Sequence, residues 1–137
     1  KDMSFMFFEC FNLTDLDLSN FNTQKVTDMS FMFYRCSFLS NLNLNNFDTS
    51  KVTSMPYMFY HCTSLISLDI ENFNTGNVKK MNYMFSELYS MPSLNLEKFD
   101  TKNKTDQGFI EFLYQYRSPI SVKKELYLSN PELYLNP

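Results

Sequence analysis

At 137 residues and 16.3 kDa the chain has the size of one ordinary domain, long enough for a continuous core. A formal net charge of −3 and a pI near 5.1 argue against a binder of phosphate backbones, which needs a basic face. No apolar run approaches the roughly 18 residues of a membrane span, and no charged-then-apolar signal is visible.

The organising feature is a 26-residue period, which adding 26 to any landmark exposes. Met3, Met29, Met55 and Met81 share a column, as do Met6, Met32, Met58 and Met84 and the adjoining Phe7, Phe33, Phe59 and Phe85. Leu16, Leu42, Leu68 and Leu94 form another, with Leu18, Leu44, Ile70 and Leu96 two places on. Phe21, Phe47, Phe73 and Phe99 follow, then Thr23, Thr49, Thr75 and Thr101, then Val26, Val52 and Val78. Lys1 falls inside a unit that has no visible cap, so further repeats, and any signal or anchor, are expected upstream.

Within a unit two hydrophobic periods alternate. In "VTDMSFMFYRC" the apolar residues Val26, Met29, Met32, Phe33 and Cys36 are spaced as one face of a short helix, with Thr27, Thr53 and Thr105 as candidate N-caps. In "LSNLNLNNF" the apolar residues alternate, which predicts a short strand. Strand plus helix in a unit of this length predicts an α/β leucine-rich-repeat array over residues 1–104, whose units bury a common wall only when stacked. The period decays after Thr101, where Lys104 and Gln107 replace valine and methionine. "TDQGFIEFLYQY" still reads as an amphipathic helix, so residues 105–137 are expected to form a divergent C-terminal cap. The near-echoes "ELYLSNP" and "ELYLNP" are either short extended segments, one of them a closing strand, or a disordered tail.

The internal consensus, M-F-x-x-C-x-x-L-x-x-L-x-L-x-x-F-[DN]-T-x-x-V-x-x-M, resembles the BspA-like leucine-rich repeat, a 26-residue bacterial surface-protein repeat also described as a domain of unknown function in surface lipoproteins. The resemblance covers about residues 1–104. It implies a right-handed α/β solenoid, export to the cell surface or secretion, and adhesion or host contact. Phe21, Phe47, Phe73 and Phe99 stand where common leucine-rich repeats carry a ladder-forming asparagine, so aromatic packing is expected to fill that turn.

Candidate chemistry is sparse. Cys10, Cys36 and Cys62 share a column whose fourth member is Leu88, which marks an apolar position filled by free thiols. Helices about 8–10 Å apart on an outer arc hold such residues beyond disulfide reach, and side chains pointing the same way do not converge on a metal. His61, the single histidine, shares its column with Glu9, Arg35 and Glu87 and reads as a solvated polar position. No catalytic constellation, phosphate-cradling glycine loop or cofactor motif is present, so the expectation is a non-enzyme without cofactor or metal. Two aromatic columns, Phe5, Phe31, Tyr57 and Tyr83 and Phe8, Tyr34 and Tyr60, read either as packing between units or as an exposed patch.

The strand face is the candidate site. With Leu16 and Leu18 inward, Asp15, Asp17 and Ser19 point to the inner surface of the curve. Their equivalents are Asn41, Asn43 and Asn45, then Ser67, Asp69 and Glu71, then Ser93, Asn95 and Glu97. The twelve include five acids and no base. Asp17, Asn43, Asp69 and Asn95 alternate so that carboxylates in that column avoid each other, as a merely soluble face would require. A ligand surface for a protein or extracellular-matrix partner is the other reading, and a passive spacer on the cell surface is the alternative to both. Four strands about 4.8 Å apart cover on the order of 200 Å² over three residues. That is well short of the roughly 800 Å² per partner of a standard interface.

Overall fold

The computed structural model describes residues 1–96 and 98–100. Four successive 26-residue units lie side by side, each hydrogen-bonded to the next at sequence separations near 26. Strands β1 (Asn41–Asn43) and β2 (Ser67–Asp69) pair in parallel, with Asn41 opposite Ser67, Leu42 opposite Leu68 and Asn43 opposite Asp69. The equivalent segments of units 1 and 4 form no assigned strand, and the expected cap over 105–137 lies outside the described residues.

No helix forms among the described residues, and the segments expected to be helical are runs of tandem turns. The backbone donors of unit 2 explain why. Met29, Phe31, Phe33 and Arg35 donate to the carbonyls of Ser54, Pro56, Met58 and Tyr60 at 2.8–3.0 Å. The alternate amides turn inward: Met32, Tyr34 and Cys36 donate three residues back, to Met29, Phe31 and Phe33, at 3.1–3.3 Å. The Ser30 amide donates to the side chain two residues back, Asp28 Oδ1, at 2.8 Å. Every amide from 29 to 36 is therefore satisfied, half of them by the neighbouring unit, and none remains for a helical bond to the fourth residue back. Pro56 occupies the Ser30 column, the place where the ladder asks nothing of the amide.

The turns require left-handed backbone at two places in each unit. Phe5 and Glu9, Phe31 and Arg35, Tyr57 and His61, and Tyr83 and Glu87 all have φ between 55° and 64°. Phe31 and Arg35 sit third in the turns 29–32 and 33–36, the place at which a type II turn needs positive φ. No described glycine fills any of these eight positions.

A second parallel ladder thus runs down the flank opposite the strands, through bridges linking Asp2, Asp28, Ser54 and Lys80. Thr27 and Thr53 belong to it: their amides donate to Lys1 and Thr27 carbonyls at 2.8 and 2.9 Å, and they cap no helix. A hydrogen-bonded ladder fixes a step of about 4.8 Å on that flank as well as on the strand flank. The wider outer arc on which a concave inner surface was expected is therefore missing, and with it the 8–10 Å spacing assigned to the cysteine column.

Between the flanks lies the core. Val26, Met29, Met32, Phe33, Cys36, Leu39, Leu42, Leu44 and Phe47 of unit 2 are all buried, and their equivalents in unit 3 repeat the pattern apart from the half-buried Leu68. The residues assigned to a helix face are thus the buried ones, on a different backbone. Phe33 stacks between Phe7 and Phe59 at centroid distances of 5.3 and 5.7 Å, and Phe59 passes the stack to Phe85 at 5.8 Å. Phe21 and Phe47 stack at 6.3 Å and Phe73 and Phe99 at 6.4 Å, in the turn where aromatic packing was expected.

Candidate functional site

Alternation along the strand segments places the candidate residues as drawn from the sequence. Asp15, Asp17, Ser19, Asn41, Asn43, Asn45, Ser67, Glu71, Ser93 and Asn95 are exposed and Asp69 is half-buried, while Glu97 lies outside the described residues. They are brought together unevenly. Segment 15–19 of unit 1 is not laddered to β1, and a groove of about 310 Å³ opens between them. Its walls are Asp17 and Ser19 on one side and Asn43, Asn45 and Asn46 on the other, with Leu16 and Leu18 below. Glu71 and Asn95 line a second, smaller recess of about 50 Å³ with Lys98 and Phe99. This recess supplies a lysine that the twelve candidates lack.

Much of the polarity on this face is spent on the chain itself. The Ser19 amide donates to Asp17 Oδ1 at 2.9 Å, and this bond holds the Asp17 carboxyl below the usual carboxylate range. Asn45 donates its amide to Asn43 Oδ1 at 3.0 Å and its side chain to Asp69. Aspartate and asparagine occur here because a short acceptor two residues ahead of a free amide closes an Asx turn.

An asparagine ladder, overlooked in the sequence, runs one place before the phenylalanine column. Asn46 Nδ2 lies 2.9 Å from the Leu18 carbonyl of the preceding unit, with the carbonyls of Ser19 and Phe21 at 3.3 and 3.4 Å. Asn72 Nδ2 repeats the contact to Asn45 at 3.1 Å. The signal was available, since Asn20, Asn46 and Asn72 are 26 apart, but an exposed asparagine in a polar turn carries no hydrophobic mark.

The thiols are free, Cys36 and Cys62 buried and Cys10 half-buried. Each buried Sγ faces a carbonyl of the preceding unit, Phe7 at 3.2 Å and Phe33 at 3.1 Å. Burial pushes the Cys36 thiol up to about 12 and raises Cys62 as well, opposite to the shift a reactive thiolate needs. His61 is not the solvated residue expected. It is half-buried, and its Nδ1 bonds Glu87 in the next unit. Arg35 reaches back to Glu9 at 3.4 Å in the same column. Among the described residues no three His, Cys, Asp or Glu side chains group to hold a metal ion.

The aromatic columns are ladders. Phe5, Phe31, Tyr57 and Tyr83 stack at 4.8–5.0 Å and Phe8, Tyr34 and Tyr60 at 4.9–5.1 Å. Phe31, Tyr57 and Tyr34 are each covered on both faces by neighbouring rings, so these three offer solvent only their edges.

No curated protein and no solved structure matches the chain. Among the described residues no helix is long and apolar enough to cross a membrane. A family model does match, over residues 1–116, taking in all four units and extending beyond them. The chain is a bacterial repeat domain and belongs to the family described as Mycoplasma protein of unknown function, DUF285.

Proposed function

We propose that the chain is a non-enzymatic recognition module, a solenoid of the leucine-rich-repeat kind displayed on the cell surface or secreted, that binds a protein or extracellular-matrix ligand through its strand face. The observation that carries this reading is the groove between unit 1 and β1, walled by Asp17, Ser19, Asn43 and Asn45. Amide and carboxylate side chains over a leucine floor suit an extended peptide backbone, which needs donors and acceptors together. Surface display is supported by the resemblance to BspA-like repeats. The small area of the face predicts weak single contacts strengthened by multiple copies.

The passive-spacer reading draws on a different observation: Asp17, Asn43 and Asn45 bond their own turns or the neighbouring unit. Charge reversal separates the two. Binding of the full chain to immobilised extracellular-matrix proteins should fall at least about tenfold for Asp17→Lys with Asp69→Lys and Glu71→Lys. Because Asp17 holds its own turn and Asp69 accepts from Asn45 of the preceding unit, the pair Asp15→Lys and Glu71→Lys serves as a second variant on a fold checked by circular dichroism. Retained binding in both would sink the strand-face proposal, and no binding by the parent chain would favour the spacer.

A further inference from the structure

Large exposed apolar side chains are not scattered over units 2 to 4. Among the described residues of these units they are Phe38, Ile66 and Tyr89, at 60%, 52% and 74% exposure. All three lie on the corner that joins the turn flank to the strand flank. Units 2 and 3 are hydrogen-bonded to a neighbour on each side, so the exposure of Phe38 and Ile66 belongs to the corner and not to an end of the stack. The corner is itself laddered. The Ser64 amide donates to the Ser37 carbonyl at 3.2 Å and the Ile66 amide to the Ser40 carbonyl at 2.9 Å, which sets Phe38 and Ile66 on adjacent rungs. The core takes Leu39 and Leu65 from the same segments, both fully buried. Serine occupies the Phe38 column at Ser64 and the Ile66 column at Ser40, so the fold asks for no large apolar group at either place.

Charge is distributed as unevenly. Residues 11–14, 37–40, 63–66 and 89–92, sixteen in all, include no charged side chain in a chain that is 20% charged. The strand face that begins one residue further on is acidic. Asp15, Asp17 and Glu71 are exposed and Asp69 is half-buried there, and the one base beside them among the described residues is Lys98, in the recess with Glu71. An uncharged apolar corner therefore runs into an acidic face. A surface of both characters is complemented by a ligand of both. An anionic lipid surface is repelled by the carboxylates, a neutral one gains nothing from them, and a purely cationic chain leaves Phe38 and Ile66 in water. Corner and strand face together cover at most about 450 Å². That is short of the roughly 800 Å² of a folded partner, so the occupant is a short segment.

We propose that the corner and the strand face together bind a short cationic amphipathic polypeptide segment. Its apolar side chains lie over Phe38 and Ile66, and its lysine or arginine side chains face Asp15, Asp17 and Glu71. The proposal rests on the strand-face reading and names the chemistry of its ligand.

The test titrates the full chain with three labelled peptides of equal length: alternating lysine and leucine, lysine alone, and alternating glutamate and leucine. The lysine–leucine peptide is expected to bind saturably and at least about tenfold more tightly than either of the others. Phe38→Ser with Ile66→Ser, copied from Ser64 and Ser40, should leave the circular dichroism spectrum unchanged and abolish the preference over oligolysine. Asp15→Asn with Glu71→Asn, copied from Asn41 and Asn45, should weaken both lysine peptides at least about fivefold. No saturable binding of the lysine–leucine peptide, or a preference that survives the serine pair, would overturn the proposal while leaving the strand-face reading to its own test on matrix proteins. Binding lost in the serine pair but indifferent to the asparagine pair would confine the contact to the corner and overturn the joint site. Recruitment of the parent, and not of the serine pair, to phosphatidylcholine vesicles would assign the corner to lipid and overturn it as well.

Discussion

Thr49 uses one hydroxyl twice. Its Oγ1 donates to the Asn74 carbonyl at 3.0 Å and accepts from the Asn74 amide at 2.7 Å, in a position only 1% exposed. Thr23 makes the same pair of bonds to Asp48 at 3.1 and 2.7 Å. Thr49→Val keeps the shape and strands a buried donor and acceptor, so a loss of about 1–3 kcal/mol is expected in urea unfolding with m unchanged. Thr49→Ser retains the hydroxyl and should cost about 1 kcal/mol or less, and equal losses for the two variants would deny the hydroxyl its role. Glu87 offers a second check. The His61 bond, aided by the Tyr60 hydroxyl at 2.8 Å, holds its carboxyl below the usual range. A depressed folded value means the contribution is complete above the unfolded carboxyl's pKa near 4.3 and disappears as pH falls through the lower folded value. Stability measured across that acid window should fall less steeply in Glu87→Gln than in the parent, and parallel curves would show that the pair does not couple to folding.

At the scale of the element, the tandem turns place side-chain-bearing residues where backbone sterics favour glycine. Left-handed geometry costs a residue with a Cβ about 1–2 kcal/mol. Arg35, at φ 56°, gains in return a part-exposed contact to Glu9 and a place over the Tyr34 ring at 5.5 Å, and leaves its Nε buried without a partner among the described residues. Arg35→Gly is therefore expected to leave stability unchanged or raise it by up to about 1 kcal/mol, whereas Arg35→Val should lose about 1–2 kcal/mol because a β-branched residue tolerates positive φ least. A glycine variant less stable than the valine one would refute the strain argument. The same turns explain what the sequence could and could not disclose. Burial of Met29, Met32, Phe33 and Cys36 was legible because a core position needs apolar volume on any backbone. Their spacing fits a helix and a run of turns equally well, and turns without glycine carry no local signature. What decides between the two is where alternate amides donate, a relation between residues 25 apart that no window along the chain contains. The exposure of ten of the twelve strand-face residues was legible from alternation alone, Asp69 being half-buried and Glu97 lying outside the described residues. The groove was not, since it depends on unit 1 failing to ladder with β1.

Across the whole molecule the units depend on their neighbours, and among the described residues unit 1 is hydrogen-bonded to a unit on one side only. Its Met3, Phe7, Leu16 and Phe21 are part-exposed in columns that are otherwise almost wholly buried. In a quasi-one-dimensional stack stability is a sum over units and junctions, so in a polypeptide of residues 1–137 a unit held by one junction opens before a unit held by two. Although Phe5 and Phe7 donate ladder bonds as short as those of Phe31 and Phe33, 3.0 and 2.9 Å in both units, bond length does not set protection when the unit itself frays. Native-state hydrogen exchange should therefore find the amides of Phe5 and Phe7 exchanging at least about tenfold faster than those of Phe31, Phe33, Tyr57 and Phe59. Uniform protection would mean that the array opens as one block and that holding a unit by two junctions in place of one carries no free energy. A step in protection between units 1 and 2 would give the size of one junction directly. The same quantity is what each junction contributes along the stack, before the entropy of ordering a unit is subtracted.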